Sequence, residues 1–140
     1  MRQQTIGYAM AITGFIDEFD TKRGKARTIQ VQGYPPLKLN CWYNEKTSMT
    51  KFPIKKVAWI QQSTKPEKVI IMEEIDFGNR RELRLRYHII GKKPGMRGKW
   101  TFGQYATLIP LPDFLTLLEV AGRNGLLGQV RPKSLESFFS

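Results

Sequence analysis

The sequence predicts a mostly β domain of α+β type. It is a twisted antiparallel sheet, or a partly open small barrel, of six to seven strands, with one helix near the C-terminus packed on it. Three observations predict this. Residues 80–91 alternate strictly between two sets of side chains, turn signals join that run to its neighbours, and only 108–125 carries apolar residues at helical spacing. The 140 residues are expected to form one domain, 1–128, with a tail at 129–140.

Residues 6–19 read as extended, with Gly7 and Gly14 as bend or bulge points. The basic loop 20–25 follows, and then 26–34 alternates, with Ile29 and Val31 facing inward and Thr28, Gln30 and Gln32 outward. The two runs are expected to pair as a hairpin with a cationic tip. Pro35-Pro36 ends the second run, since proline offers the ladder no N–H. Residues 37–43 form a short strand with Leu37, Leu39, Cys41 and Tyr43 on one side and Lys38, Asn40 and Trp42 on the other. After a polar connection at 44–51, a further strand spans about 54–61.

The sharpest structural expectation is the hairpin of 68–75 with 80–91. Gly78-Asn79 lies between the runs, and glycine at the first central position suits a type II′ turn. That turn sets Phe77 opposite Arg80, Ile75 opposite Glu82, Glu73 opposite Arg84, Met72 opposite Leu85 and Ile70 opposite Tyr87. A slip by one residue would reverse the faces and bury the arginines. Pro94-Gly95 suits the centre of a type II turn, which would return the chain as a strand at 99–108. The segment 91–99 is then a cationic finger. In the helix, Pro112 and Asp113 fit the first turn, Leu111, Phe114, Leu115, Leu118 and Ala121 or Gly122 form the apolar stripe, and Gly122 or Gly125 gives the stop. The tail is expected to dock back through Leu126, Leu127 and Val130, and Phe138-Phe139 ends it.

The chain carries a formal net charge of +11. Phe77–Trp100 holds eight basic residues against one acid, Glu82, and the loop before residue 28 adds another cluster. A basic surface interleaved with aromatic rings suits a polyanion whose bases stack, so nucleic acid is the expected partner, DNA ahead of RNA. The expected contacts are Arg84, Arg86, His88, Lys92, Lys93, Arg97, Lys99 and Trp100, with Lys22, Arg23, Lys25 and Arg27 as a second cationic contact and Trp42 as a further stacking platform. The arginines of 80–91 are expected to face outward and to join the finger in one open ridge. Cross-strand pairing with Glu73 would silence Arg84, whereas the finger has no acid near it in sequence.

Two alternatives stay open. A small basic inhibitor or interaction module would cap an acidic protein surface or fill another protein's nucleic-acid channel. A metal-dependent nuclease would need Glu73, Glu74 and Asp76 to converge, yet adjacent strand residues point to opposite faces. His88 is the only histidine and has no acidic partner in sequence for general-base work. No catalytic residue, metal site or cofactor is predicted, and no G-x-S-x-G or phosphate-loop motif occurs. One cysteine, Cys41, excludes an internal disulfide and reads as a reduced thiol, which suggests the cytoplasm. No signal peptide is expected from the opening residues, and no apolar run approaches the ~18 residues of a membrane span. The first 43 residues, a glycine-interrupted strand, a basic loop and a second strand, resemble in outline the opening hairpin of an OB-type barrel. That likeness covers under a third of the chain.

Overall fold

The computed structural model describes residues 12–17, 27–44 and 50–128. The strands are β1 (Thr13–Ile16), β2 (Arg27–Ile29), β3 (Leu37–Leu39), β4 (Trp42–Asn44), β5 (Lys51–Gln61), β6 (Lys68–Asp76), β7 (Arg81–Ile90) and β8 (Trp100–Phe102), and the helix is α1 (Leu111–Arg123). Six strands make one antiparallel sheet in the order β1-β5-β6-β7-β8, with β4 also paired to β5, and β2-β3 form a separate small sheet. Strand β5 is long enough to take two partners: β4 pairs residues 51–53 and β1 pairs residues 57–60. Between them the pairing with β6 shifts at Lys55, because Ile54 faces Ile75 while Lys56 faces Glu74.

The sheet is buried on both faces near its centre. Val57, Trp59, Val69, Ile71 and Ile75 join Ile29, Val31, Leu37, Leu39 and Cys41 in one core, under the small sheet. Ala58, Ile60, Ile70 and Met72 join Leu117, Ala121 and Leu126 in a second core, under α1. The fold therefore has three layers, and β6 is buried almost throughout because both of its faces are covered. Polar ties hold the layers together. The Gln61 amide donates to Gln32 O at 2.8 Å and Pro66 O at 2.9 Å. The buried Lys68 donates from Nζ to Leu108 O at 2.7 Å and sits 4.6 Å from the centre of the Tyr87 ring. Burial, with Lys65 adding repulsion, lowers the Lys68 pKa.

The helix is fixed at both ends. The buried Asp113 accepts from Ser63 N at 2.9 Å and from Ser63 Oγ at 2.8 Å, so its first turn is bonded to the β5–β6 loop. At the other end Leu126 N donates to Ala121 O and Gly125 N to Gly122 O, the two bonds of a Schellman motif. That turn drives Leu126 into the second core.

The hairpin register is the expected one at every named pair of β6 and β7, and Gly78 holds φ +92 as the turn requires. Several expectations change. The strand foreseen at 37–43 is two strands in different sheets, although Leu37, Leu39 and Cys41 are buried as expected. β1 pairs with β5, and β2 pairs with β3, so among the described residues the early hairpin and its OB-type outline are not formed. Gly14 is no bulge: it faces Trp59 in register, and a Cβ there would lie 2.4 Å from the indole. β8 stops at Phe102 rather than running to 108, for the next residue, Gly103, lies against the Tyr87 ring and the chain then crosses to α1. The helix is also rotated from the expected stripe. Asp113, Leu117 and Ala121 point inward, Phe114 and Leu118 flank them, and Leu111 and Leu115 are exposed. Gly7, Lys22, Arg23, Lys25, Val130, Phe138 and Phe139 lie outside the described residues.

Candidate nucleic-acid interface

The finger is built by two successive tight turns. Met96 N donates to Lys93 O at 3.0 Å across Pro94-Gly95, and Gly95 has φ +87, the left-handed third residue of a type II turn. Lys99 N then donates to Met96 O at 3.0 Å, and Gly91 N to Lys99 O at 2.8 Å closes the base. With the backbone folded on itself, Lys92, Lys93, Arg97 and Lys99 all project into solvent. None of the four has a salt-bridge partner among the described residues. Trp100 stands at the base, half-buried, and donates from Nε1 to Pro35 O at 2.7 Å. Its ring meets Tyr34 edge-on at 6.3 Å, so one side of it is fixed to the loop before β3.

A groove of about 690 Å³ runs beside the finger. Lys65, Lys92 and Lys93 line it together with Tyr87, Trp100, Phe102 and Tyr105. Tyr105 is 81% exposed and Phe102 62%, so both rings present a free face. Sequence reasoning assigned no contact to Lys65, Phe102 or Tyr105. Alternation in 99–108 gave Phe102 no special weight, and only the early end of β8 sets it at an open edge.

The β7 arginines behave differently. They do not form an outward ridge, because this face of β7 looks toward β3 and β4. Glu73, fully buried at 0% exposure, accepts Arg84 Nε at 2.7 Å and takes Arg86 in a two-point bond, Nε at 2.8 Å and Nη2 at 2.9 Å. Burial alone would raise the Glu73 carboxyl, but the hydrogen bonds and charges of Arg86 and Arg84 outweigh it and lower its pKa. His88 is buried beside Arg86, with Arg86 Nη1 against its Nε2. Burial, then the Arg86 charge, push its pKa down to about 3 against the opposing pull of Glu73, so the imidazole is neutral at pH 7. Meanwhile Leu83 and Leu85, expected on the covered face, are 49% and 39% exposed, since α1 packs over β1, β5 and β6 and stops short of them.

Arg84 lies 4.8 Å from the centre of the Tyr43 ring and Arg86 5.5 Å from that of Phe102. These groups form a polar pocket of about 160 Å³ with Lys38, Asn40, Trp42 and Asn44. Trp42 is half-buried and packs against the first core. Arg27 is half-buried in β2, apart from the finger. The three acids that a metal-dependent nuclease would need together are engaged by arginines: Glu73 by Arg84 and Arg86, while Glu74 bonds Arg81 at 3.1 Å and Asp76 lies 3.6 Å from Arg81. No helix among the described residues is long and apolar enough to cross a membrane. The chain matches no protein-family model, no curated protein and no solved structure.

Proposed function

We propose that this protein binds nucleic acid, DNA in preference to RNA, through the 91–99 finger and the aromatic groove beside it. One observation carries the reading. Four cations stand on a short, doubly turned loop with no acid paired to them among the described residues, next to two exposed rings. Lys92, Lys93, Arg97 and Lys99 neutralise phosphates, and Phe102 and Tyr105 stack on bases. A narrow finger enters the wide major groove of B-form DNA, whereas the deep, narrow major groove of A-form RNA excludes it. A cytoplasmic setting goes with the reading, on the strength of the one buried Cys41.

Fluorescence anisotropy with single- and double-stranded DNA and RNA at two salt concentrations tests it. Affinity for duplex is expected to fall with salt by ~0.9 log unit per log unit for each phosphate contacted. Replacing Lys92, Lys93, Arg97 and Lys99 with alanine is expected to abolish most binding; unchanged binding would overturn the reading. A second reading, capture of an acidic protein surface, draws on Met96, Phe102 and Tyr105, which are exposed among the lysines as in a mixed protein interface. A partner recovered by pull-down that survives nuclease digestion would favour it.

A further inference from the structure

The pocket between β7 and the β3–β4 segment is separate from the finger, and its chemistry is unusually well defined. Arg86 spends three of its five N–H groups within the protein: one each from Nε and Nη2 on Glu73, and one from Nη1 toward His88. Arg84 spends only Nε on Glu73, and among the described residues its Nη1 and Nη2 make no hydrogen bond. Its guanidinium is nevertheless held still, between the fully buried carboxylate and the Tyr43 ring. Lys38 and Asn40 line the same pocket, and their side chains are likewise unengaged among the described residues. Among the described residues, the one acid touching these two arginines is Glu73. Arg84, Arg86 and Lys38 against Glu73 therefore leave two surplus positive charges around a cavity of about 160 Å³.

We propose that this pocket is a phosphate subsite in which Arg84 and Lys38 grip the terminal phosphate of a nucleic-acid strand. The inference rests on the nucleic-acid reading and narrows its ligand. Charge favours a chain end. A phosphate monoester carries about −1.5 to −2 at pH 7, which matches the surplus, whereas a backbone diester carries only one charge. Size agrees, because a cavity this small takes one phosphate and its ester group and not a run of nucleotides. Continuity supplies the route: Phe102 lines both this pocket and the groove beside the finger, so a strand lying in the groove reaches the pocket with its end. A fixed guanidinium fork loses little freedom when it closes on a phosphate.

The test uses the full chain and three labelled single-stranded DNA oligonucleotides of one sequence, with a 5′-phosphate, a 3′-phosphate or two hydroxyl ends. One phosphorylated form is expected to bind about tenfold or more tightly than the hydroxyl form. Inorganic phosphate is expected to compete away that increment and no more. Lys38→Ala, at an exposed position, and Arg84→Gln should each erase the preference while leaving the salt-dependent binding of the finger. Equal affinity for all three oligonucleotides, or a preference that survives both substitutions, overturns the subsite and leaves the finger reading standing. Failure of every oligonucleotide to bind the unaltered protein overturns the subsite, and the finger reading falls with it only if duplex DNA also fails to bind.

Discussion

Two halves of one basic stretch have opposite fates. Within Phe77–Trp100, Arg80, Arg81, Arg84 and Arg86 each lie against a carboxylate, while Lys92, Lys93, Arg97 and Lys99 meet none among the described residues. The residues are of like type and adjacent in sequence. The backbone separates them. A strand sets its side chains opposite or diagonal to those of the next strand, where β6 supplies Glu73 to Arg84 and Arg86 and Glu74 and Asp76 to Arg81, while Arg80 meets Glu82 two residues on. A loop closed on itself by tight turns has no neighbour to supply an acid. A count of positive residues therefore measures attraction for a polyanion only after the paired ones are subtracted.

The strongest way to break this contrast is Glu73→Gln. It leaves two arginines facing each other in a covered cleft without their anion. Removing one partner of a buried ion pair costs ~3–5 kcal/mol, and urea denaturation measures it. A loss below ~1 kcal/mol would mean that the arginines escape to water and that the strand and finger differ little.

A smaller effect comes from acid. His88 has its folded pKa near 3, below the 6.5 of the free side chain. Between those values the unfolded chain takes up a proton that the native state refuses. Stability is therefore lost as pH falls through that window, by up to ~1.4 kcal/mol per pH unit. Glu73 acts in the same direction lower down. Its folded pKa is depressed, so its contribution is present above the ordinary carboxylate value and lost as pH falls through the folded one. His88→Gln is expected to flatten the upper part of the profile, read as midpoints of denaturation from pH 7 to 4.

The smallest effect on stability is expected at the finger. Alanine at Lys92, Lys93, Arg97 and Lys99 together should shift the denaturation free energy by no more than ~0.5 kcal/mol for each exposed site. The same change should lower the slope of duplex affinity against salt by up to ~3.6, for four lost phosphate contacts at ~0.9 each. A large stability loss with an unchanged slope would reverse the roles assigned to the two halves.

Much of the fold was legible where local rules are strict. The II′ turn at Gly78 and the pairing of Glu73 with Arg84 gave the register of β6 and β7 residue by residue. Alternation also says which side chains share a face, but not which face is covered. That choice depends on where α1 ends and on the small sheet lying over Glu73, both non-local facts, and so the arginine face was taken as open and the leucine face as closed. Helix phase failed for a related reason. Leu111 and Leu115 are as apolar as Leu117, and the deciding group is the polar Asp113, turned inward by its bonds to Ser63 fifty positions earlier. Of the candidate site, the four finger cations and Trp100 at its base were readable because Pro94-Gly95 announces the turn. Lys65 and the pocket around Lys38 were not, since they join the finger and β7 only through tertiary contact.

The two-ended attachment of α1 has a consequence for motion. A helix usually frays from a terminus inward, one turn at a time. Here the first turn is bonded to the β5–β6 loop through Asp113 and the last is plugged into the core by Leu126. Neither end offers a low-energy place to begin, so the element should detach whole. Amide hydrogens of residues 116–121 are then expected to exchange with deuterium together, at the rate set by opening of the entire sheet, and Asp113→Asn should make those nearest the N-terminal end exchange first.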